Sequence, residues 1–215
     1  MAKEGVPLLI ALFFFLVATV VAYYFYPHFL LVGFGGLVFI LLVFTAVFFR
    51  EPHPGPVNVP ENVLVSPCDG EVVAVNKILY NDFVGLDAFV IRIYIPLLAP
   101  HIIRVPTSAR IKFIDLRRGE FFPFRNKKAL FENECLSVGF MNASEDKCIV
   151  RQIAGPFTKR LSCRRMIGDF LRAGEVYGMI FFGSMVEVYL PRYCAPFVKK
   201  GMTVKGGQTV IARFK

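Results

Sequence analysis

The sequence predicts a mainly β protein, a flattened barrel or sandwich, preceded by an N-terminal transmembrane helical hairpin. Two observations lead to this expectation. A long apolar stretch near the N-terminus carries no acidic or basic side chain, which is typical of membrane-spanning helices. After it, short runs rich in Val, Ile, Phe and Tyr recur between turn signals, a spacing that favours an all-β barrel or sandwich. We therefore expect a hairpin over residues 1–50, a proline-rich linker over 51–61 and a β-rich domain over 62–215.

The apolar stretch covers residues 6–49, where His28 is the one side chain that can carry charge. As a helix it would extend roughly 65 Å, twice the ~30 Å hydrocarbon core of a bilayer. Proline removes a hydrogen-bond donor, so the stretch divides at Pro27 into spans at residues 7–24 and 29–49. A cleaved signal peptide has a shorter apolar core, and a soluble hairpin is seldom apolar on every face. Basic residues accumulate after the second span, which predicts the cytoplasmic (inner) membrane with the β-rich domain on the cytoplasmic side.

Glycine turns divide the β-rich part. Residues 168–174 and 201–207 each begin and end near a glycine, and glycine supplies the positive φ that tight turns need. Such paired turns resemble those of lipoyl- and biotin-carrier domains, but no suitably flanked lysine lies at an exposed turn between them, so a carrier domain is disfavoured. A short helix is expected at residues 121–130. The predicted strands are 62–65, 71–75, 88–95, 109–114, 136–141, 148–153, 160–164, 176–182, 186–190 and 208–214.

The net charge indicates the kind of binding partner, and the cysteine content indicates the compartment. The net charge is +9, almost all of it after the spans, which indicates nucleic acid, an anionic membrane surface or ordinary solubility charge. With a membrane anchor, anionic lipid headgroups are the simplest partner and nucleic acid is not expected. The five cysteines are scattered without a close C-x-x-C pair. We therefore expect neither disulfides nor a metal site, in keeping with a reducing compartment.

Three short motifs offer chemistry, each with a plainer reading. A Gly-Ser pair, Gly183-Ser184, interrupts a strand-like segment, where glycine usually marks a bulge. A serine hydroxyl held against an unshielded glycine carbonyl can also attack it, given an activating base. His101 is the one histidine within the β-rich domain and so the candidate base, although a lone histidine is usually only hydrogen-bonded. Asp69 lies in a Pro-Cys-Asp-Gly sequence that is typical of a turn, and it could orient a histidine.

Taken in order, seven motifs resemble those of the phosphatidylserine decarboxylase family, in its short branch that includes archaetidylserine decarboxylase-like members. The resemblance runs from the first span to the last strand. The motifs are Phe-Phe-Arg-Glu-Pro at 48–52, Ser-Pro-Cys-Asp-Gly-Glu-Val at 66–72, His-Ile-Ile-Arg-Val-Pro at 101–106, Phe-Glu-Asn-Glu at 131–134, Arg-Gln-Ile-Ala-Gly at 151–155, Lys-Arg-Leu-Ser-Cys at 159–163 and Phe-Gly-Ser-Met-Val-Glu-Val at 182–188.

The resemblance implies a pyruvoyl-dependent carboxy-lyase that acts on an aminophospholipid, phosphatidylserine or its archaetidyl equivalent. Ser184 matches the serine that becomes the covalent pyruvoyl cofactor, and Gly183 becomes the end of the larger chain after self-cleavage. The two products would stay together as a heterodimer, with further oligomerisation left open. Asp69 matches an aspartate linked to self-cleavage and His101 a histidine tied to decarboxylation. Asn133 falls in a family-like stretch without an evident chemical role.

Some positions depart from the family pattern. Longer members carry a second histidine where this chain has Arg104, so either His101 serves both steps or cleavage relies on strain and Asp69. Ile103 and Met185 also stand where the short branch commonly has other residues. Arginine forms a fork for carboxylate or phosphate, so we expect substrate binding by Arg104, or by Arg164 and Arg165, named here as the candidates. A non-catalytic membrane-anchored β-barrel adaptor, a nucleic-acid-binding barrel and an inactive relative are the alternatives.

Overall fold

The computed structural model describes residues 5–50, 57–158, 160–181 and 184–215, with the backbone alone for Tyr80 and Ser184. Gly183, the first residue of the expected cleavage pair, and residues 51–56 of the expected linker lie outside the described residues. The chain divides into two compact units, Met1–Pro52 and His53–Lys215.

The first unit is a pair of apolar helices, α1 (Val6–Phe25) and α2 (Phe29–Phe48). The predicted helical hairpin is therefore confirmed, with its break at Pro27. His28 caps α2, because its Nδ1 accepts a hydrogen bond from the Leu30 amide at 3.3 Å. Each helix has 20 residues, with mean hydropathy 2.6 and 2.7. At about 1.5 Å per residue, each reaches the ~30 Å that a bilayer core requires.

The second unit is mainly β, as predicted. Its short helix, α3 (Ala129–Glu132), occupies only the end of the helix expected at residues 121–130. That expectation is wrong for most of its length, since Pro123 cannot supply a helical N–H. The strands of the described part are β1 (Val63–Val65), β2 (Gly70–Lys77), β3 (Tyr80–Asn81), β4 (Gly85–Leu86), β5 (Phe89–Ile95), β6 (Ile102–Arg104), β7 (Ala109–Arg117), β8 (Cys135–Met141), β9 (Lys147–Ala154), β10 (Arg160–Cys163), β11 (Phe170–Leu171), β12 (Val176–Phe181), β13 (Ser184–Leu190), β14 (Ala195–Pro196), β15 (Thr203–Val204) and β16 (Val210–Arg213).

These strands form an eight-stranded sheet in the order β11-β7-β8-β9-β13-β5-β2-β15, two three-stranded sheets, β10-β12-β6 and β1-β16-β14, and the β3-β4 pair. None of them closes into a barrel within the described ranges, so the sandwich alternative describes the fold better. One buried cluster draws on all three larger sheets, with Leu64, Ile103 and Val150 among its fully buried members. Burial of apolar surface on this scale is the main driving force for folding.

A buried charge cluster reinforces the centre of the large sheet. Glu187 on β13 is 1% exposed, and its carboxylate accepts hydrogen bonds from Arg92 Nε at 2.6 Å and from Tyr189 Oη at 2.7 Å. Arg151 Nη1 lies 3.5 Å from the same carboxylate. A buried carboxylate requires such partners. The cluster therefore ties β13 to its neighbours β5 and β9.

The predicted glycine turns are present. Gly168, Gly174, Gly201 and Gly207 all have positive φ, the region that favours glycine. These glycines lie in the β10–β11, β11–β12, β14–β15 and β15–β16 connections. The two turn units predicted from the sequence therefore flank the short strands β11 and β15.

Candidate functional site

The expected cleavage site lies where the chain crosses from one sheet to another. β12 ends at Phe181 in the sheet β10-β12-β6, and β13 begins at Ser184 in the eight-stranded sheet. The backbone of Ser184 pairs with Ile95 on one side and with Ala154 on the other. Ser184 is therefore held at the end of a central strand, directly after the change of sheet.

A second crossover runs beside the first. β5 ends at Ile95, the partner of Ser184, and the chain then passes to His101 and into β6. The His101 carbonyl accepts a hydrogen bond of 2.9 Å from the Ile180 amide on β12. The two crossovers are thus joined at both ends, once by Ile95 with Ser184 and once by His101 with Ile180. This arrangement brings the backbone of His101 to the end of β12, the last described strand before Ser184.

Burial and a hydrogen bond set the protonation state of the His101 imidazole. The residue is fully buried, and its Nδ1 lies 2.7 Å from the Ala99 carbonyl oxygen. A carbonyl can only accept, so Nδ1 carries the hydrogen and Nε2 is the acceptor nitrogen of the neutral ring. Burial lowers the pKa of His101 to about 4, while the Ala99 carbonyl opposes this shift. The ring is therefore uncharged at neutral pH.

Asp69 belongs to a loop that is fixed by the turn between β15 and β16. Its Oδ1 accepts a hydrogen bond from the Gly206 amide at 2.7 Å. The neighbouring Gly207 amide donates to the Ser66 carbonyl, also at 2.7 Å. A Cβ on Gly206 would lie 3.0 Å from the Cα of Cys68, closer than ordinary van der Waals contact. The close approach of these two loops therefore favours glycine at position 206.

The sheet order places Asp69 at the same end as Ser184. Asp69 immediately precedes β2, which pairs with β5 through Glu71 and Tyr94. β5 lies between β2 and β13, so the backbones of Asp69 and Ser184 are separated by roughly two strand spacings, about 10 Å. The structure brings the loops of Asp69, His101 and Ser184 to one end of the sheet. Asp69 Oδ1 and His101 Nδ1 are engaged by Gly206 and Ala99, so the arrangement differs from a histidine oriented by a carboxylate on Nδ1.

The three arginines expected to bind substrate lie at different places. Arg104 is buried, three positions after His101, and its Nη1 donates to the Gly174 carbonyl at 2.8 Å. Arg164 and Arg165 are exposed. The Arg164 amide donates to the Tyr177 carbonyl, which lies toward the end of β12 that is remote from Ser184. The structure therefore does not bring Arg164 and Arg165 to Ser184, and their binding role stays a prediction.

Sequence reasoning missed an apolar pocket beside Ser184. Its volume is about 250 Å³, and its walls include Tyr94, Phe124, Phe157 and Met185. Met185 follows Ser184, and Ala154, the strand partner of Ser184, also lines the pocket. The walls come from separate loops, so no local pattern in the sequence could reveal them.

Asn133 now has a structural role. Its side chain is buried, and Nδ2 donates to the carbonyls of Phe122 at 2.8 Å and Ala154 at 2.7 Å, while Oδ1 accepts from the Phe122 amide at 2.9 Å. All three bonds reach backbone groups. Asn133 therefore fastens the loop that carries Phe124 to the strand residue that pairs with Ser184.

Comparisons with known proteins place these features in a wider context. The family profile described as phosphatidylserine decarboxylase matches residues 41–212. The phosphatidylserine decarboxylase proenzyme of Pelobacter propionicus is 34% identical over 184 residues, which cover 86% of this chain and 83% of that protein. The proenzyme of Oleidesulfovibrio alaskensis is 37% identical over 183 residues, covering 85% and 83%. That of Carboxydothermus hydrogenoformans is 34% identical over 184 residues, covering 84% of each.

Proposed function

The chain belongs to the phosphatidylserine decarboxylase family, and we propose that it removes the carboxyl group of an aminophospholipid with a pyruvoyl group made from its own Ser184. The reaction converts phosphatidylserine to phosphatidylethanolamine, or performs the archaetidyl equivalent. The observation that supports this best is the pair of joined crossovers, in which the carbonyl of buried, neutral His101 accepts a hydrogen bond from β12, the strand before Ser184. The domain of residues 62–215 is the proposed catalytic part, after a linker over 51–61.

Self-cleavage begins with the Ser184 hydroxyl. Its Oγ attacks the carbonyl carbon of Gly183, the C–N bond breaks, and an ester replaces the amide. Removal of the Ser184 α-proton then expels the Gly183 carboxylate and leaves dehydroalanine, which adds water and loses ammonia to give the ketone. Both steps need a base, and the Nε2 lone pair of His101 is the proposed acceptor of the protons. Asp69 is the second residue proposed to assist.

The surroundings of Ser184 fit an uncharged ketone. Its strand partners Ile95 and Ala154 are buried, and so is Met185. When present, a pyruvoyl group supplies an electron sink for the loss of CO2 from the substrate, as pyridoxal does elsewhere. We propose that His101 then returns a proton to the substrate carbon. The anionic headgroup would favour the protonated imidazole and so oppose the effect of burial on its pKa.

Recognition of the headgroup is proposed for the arginines. A guanidinium can pair with carboxylate or phosphate through two parallel hydrogen bonds. Arg104 follows His101 by three positions on β6, but it pairs with Val176 at the end of β12 remote from Ser184, and its Nη1 donates to the Gly174 carbonyl, so its role is proposed from its charge and its closeness to His101 in the sequence. Arg164 and Arg165 are exposed toward the same remote end of β12, so their binding of the headgroup is proposed from their charge alone.

The apolar helices α1 and α2 suggest association with a membrane, where such a substrate resides. We propose that they anchor the enzyme in the cytoplasmic membrane with the catalytic domain in the cytoplasm, on the side indicated by the basic excess. After cleavage the two chains are proposed to remain one heterodimer. β13 would belong to the smaller chain, and it is hydrogen-bonded to β5 and β9 of the larger chain along its length.

Intact-mass spectrometry of the full chain tests the proposal. We expect two chains, residues 1–183 and 184–215, the second beginning with a ketone that reacts with hydroxylamine. Ser184→Ala should remain one chain, whereas Ser144→Ala, at an exposed serine, should cleave normally. Release of labelled CO2 from carboxyl-labelled phosphatidylserine should follow cleavage. An uncleaved wild-type chain that releases no CO2 would contradict the proposal and favour the adaptor or inactive-relative alternative.

A further inference from the structure

The apolar pocket beside Ser184 opens among exposed hydrophobic side chains. Leu97, Phe124 and Phe157 all line it, yet they are 45%, 39% and 70% exposed, and Leu98 next to Leu97 is 62% exposed. These four residues are called the apolar rim below. They come from three different loops, after β5, β7 and β9. Exposed hydrophobic groups that converge around one opening mark an interaction surface rather than scattered surface residues.

Basic residues flank the apolar rim. Arg125, Lys127 and Lys128 follow Phe124 directly and are exposed. Lys128 Nζ makes a long contact of 3.8 Å with Glu132 and lies 6.0 Å from the centre of the Phe122 ring. Aromatic side chains next to lysine and arginine match the boundary between the headgroups and acyl chains of an anionic bilayer. Charge complementarity therefore selects an anionic lipid surface as the occupant.

The rim is held in place by specific contacts. The ring of Phe124 packs on Tyr94 with centroids 4.4 Å apart, and Asn133 fastens the same loop to Ala154. Phe157 lies in a turn closed by the Gly155 amide, which donates to Thr158 Oγ1 at 2.7 Å. A surface ordered before it meets its ligand loses less conformational entropy on binding. The exposed side chains are thus presented outward by a rigid frame.

We infer that the apolar rim enters the outer apolar layer of an anionic bilayer and that the pocket receives the glycerol-proximal part of the lipid whose headgroup reaches Ser184. This inference rests on the proposed function and adds the site for the apolar half of the substrate. The pocket of about 250 Å³ equals the liquid volume of about eight water molecules, at roughly 30 Å³ each. It holds only the start of the acyl chains, so the rest of the lipid stays in the bilayer during catalysis.

The absence of tryptophan from the sequence allows a direct test of membrane contact. Phe157→Trp places a single indole on the rim, and Phe170→Trp is the matched control. Phe170 is 53% exposed and pairs with Arg110, at the end of β7 remote from the site. Both variants are made in full-length Ser184→Ala chains, so that the readout does not depend on self-cleavage. They are reconstituted into vesicles of phosphatidylcholine and phosphatidylglycerol whose acyl chains carry bromine.

We expect the emission of Phe157→Trp to be blue-shifted and quenched by the brominated chains, while Phe170→Trp stays unquenched. Equal quenching of the two indoles, or quenching of neither, would overturn the inference. A blue shift of Phe157→Trp without quenching would show that a protein surface, such as a second copy of this chain, covers the rim, and it would overturn lipid docking as well.

Kinetics in mixed micelles give a second readout. The double variant Leu97→Asn with Phe157→Ser should self-cleave normally and keep kcat, but raise the interfacial KM for dioleoyl phosphatidylserine about tenfold, the effect of losing apolar binding. For the dihexanoyl lipid, which is dispersed in water, the increase should be smaller. A KM equal to that of Phe170→Ser would contradict the inference. If the wild-type chain neither cleaves nor releases CO2, the proposed function fails, and the quenching experiment still decides whether the rim contacts lipid.

Discussion

Asn133 hydrogen-bonds to both backbone groups of Phe122: Asn133 Nδ2 donates to the Phe122 carbonyl at 2.8 Å, and Asn133 Oδ1 accepts from the Phe122 amide at 2.9 Å. The same Nδ2 also reaches Ala154 at 2.7 Å. Asn133, for which the sequence predicted no chemical role, therefore joins the loop of Phe121, Phe122 and Phe124, called the aromatic loop below, to the strand that pairs with Ser184.

Replacement of Asn133 by alanine should destabilise the domain and loosen this loop. Three backbone groups would lose their partner, the Ala154 carbonyl in a buried bond and the two groups of Phe122 in partly buried ones, and a buried unsatisfied group costs about 1–3 kcal/mol. We expect a lower melting temperature in detergent and a raised KM for long-chain phosphatidylserine. Asn126→Ala is the control, because its Oδ1 accepts only an exposed bond from the Lys128 amide. Equal melting temperatures for the two variants would show that the Asn133 hydrogen bonds do not stabilise the loop.

Self-cleavage should persist at a pH where an ordinary histidine is already protonated. The proposed base is neutral His101, and burial lowers its pKa from 6.5 to about 4, so the rate should stay flat down to pH 5 and fall toward pH 4. Precursor made by cell-free synthesis in nanodiscs can be followed by gel electrophoresis. His101→Gln should cleave far more slowly at every pH. A wild-type rate that halves near pH 6.5 would contradict the assignment of the base.

The same pKa predicts how stability changes with pH. Between pH 6.5 and about 4 the unfolded chain binds a proton at position 101 that the folded chain excludes. The free energy of unfolding is therefore highest above pH 6.5 and decreases as the pH falls through this window. Chemical denaturation of uncleaved Ser184→Ala should show this decrease. His101→Gln in the same background should show a smaller one.

Two substitutions of Asp69 distinguish the effect of its charge from the effect of its hydrogen bond. Asp69→Asn keeps an oxygen that can accept from the Gly206 amide at the observed 2.7 Å, whereas Asp69→Ala keeps neither. We expect Asp69→Asn to fold with near wild-type stability and to self-cleave at least about tenfold more slowly, a loss near 1.4 kcal/mol in the barrier. The time course of chain cleavage and the melting temperature measure both effects. Wild-type cleavage by Asp69→Asn would mean that Asp69 only positions its loop.

Gly206→Ala should disturb the site without touching a reactive group. The added Cβ would lie 3.0 Å from the Cα and 3.1 Å from the carbonyl carbon of Cys68, so the loop that carries Asp69 must move. Overpacking of this kind typically costs about 1–3 kcal/mol. We expect a lower melting temperature and slower cleavage. Gly36→Ala, where the new Cβ meets nothing within 4 Å, should change neither.

The sequence was a good guide to the longer strands and a poor one to the connections. Alternation and β-branched residues located β13 and its neighbours because each is long enough to show a period. β6 (Ile102–Arg104) was missed, since three residues between prolines give no periodicity. Without β6, the proximity of His101 to the chain before Ser184 could not be predicted from spacing.

The aromatic loop shows a different limit. A short helix was expected at residues 121–130, but its first part is a loop in which Phe121 and Phe124 are exposed and Phe124 lines a pocket. Hydrophobicity predicts what avoids water, and a lipid surface satisfies that tendency as well as a core does. The site residues Ser184, His101 and Asp69 were recognised from motifs that resemble a family, whereas the roles of Asn133 and Gly206 depend on contacts between distant segments.

The central position of β13 has a consequence for the life of the molecule. If the bond before Ser184 is cut as proposed, the 184–215 chain contributes an interior strand flanked by β5 and β9 and also β16, the partner of β1. An intact polypeptide can form such an interior strand as it folds. Two unfolded fragments would instead have to associate in a bimolecular step, with their sheet edges exposed until they meet. We therefore expect the mature protein to arise from a single folding event, and heat to inactivate it irreversibly under conditions in which its uncut precursor refolds.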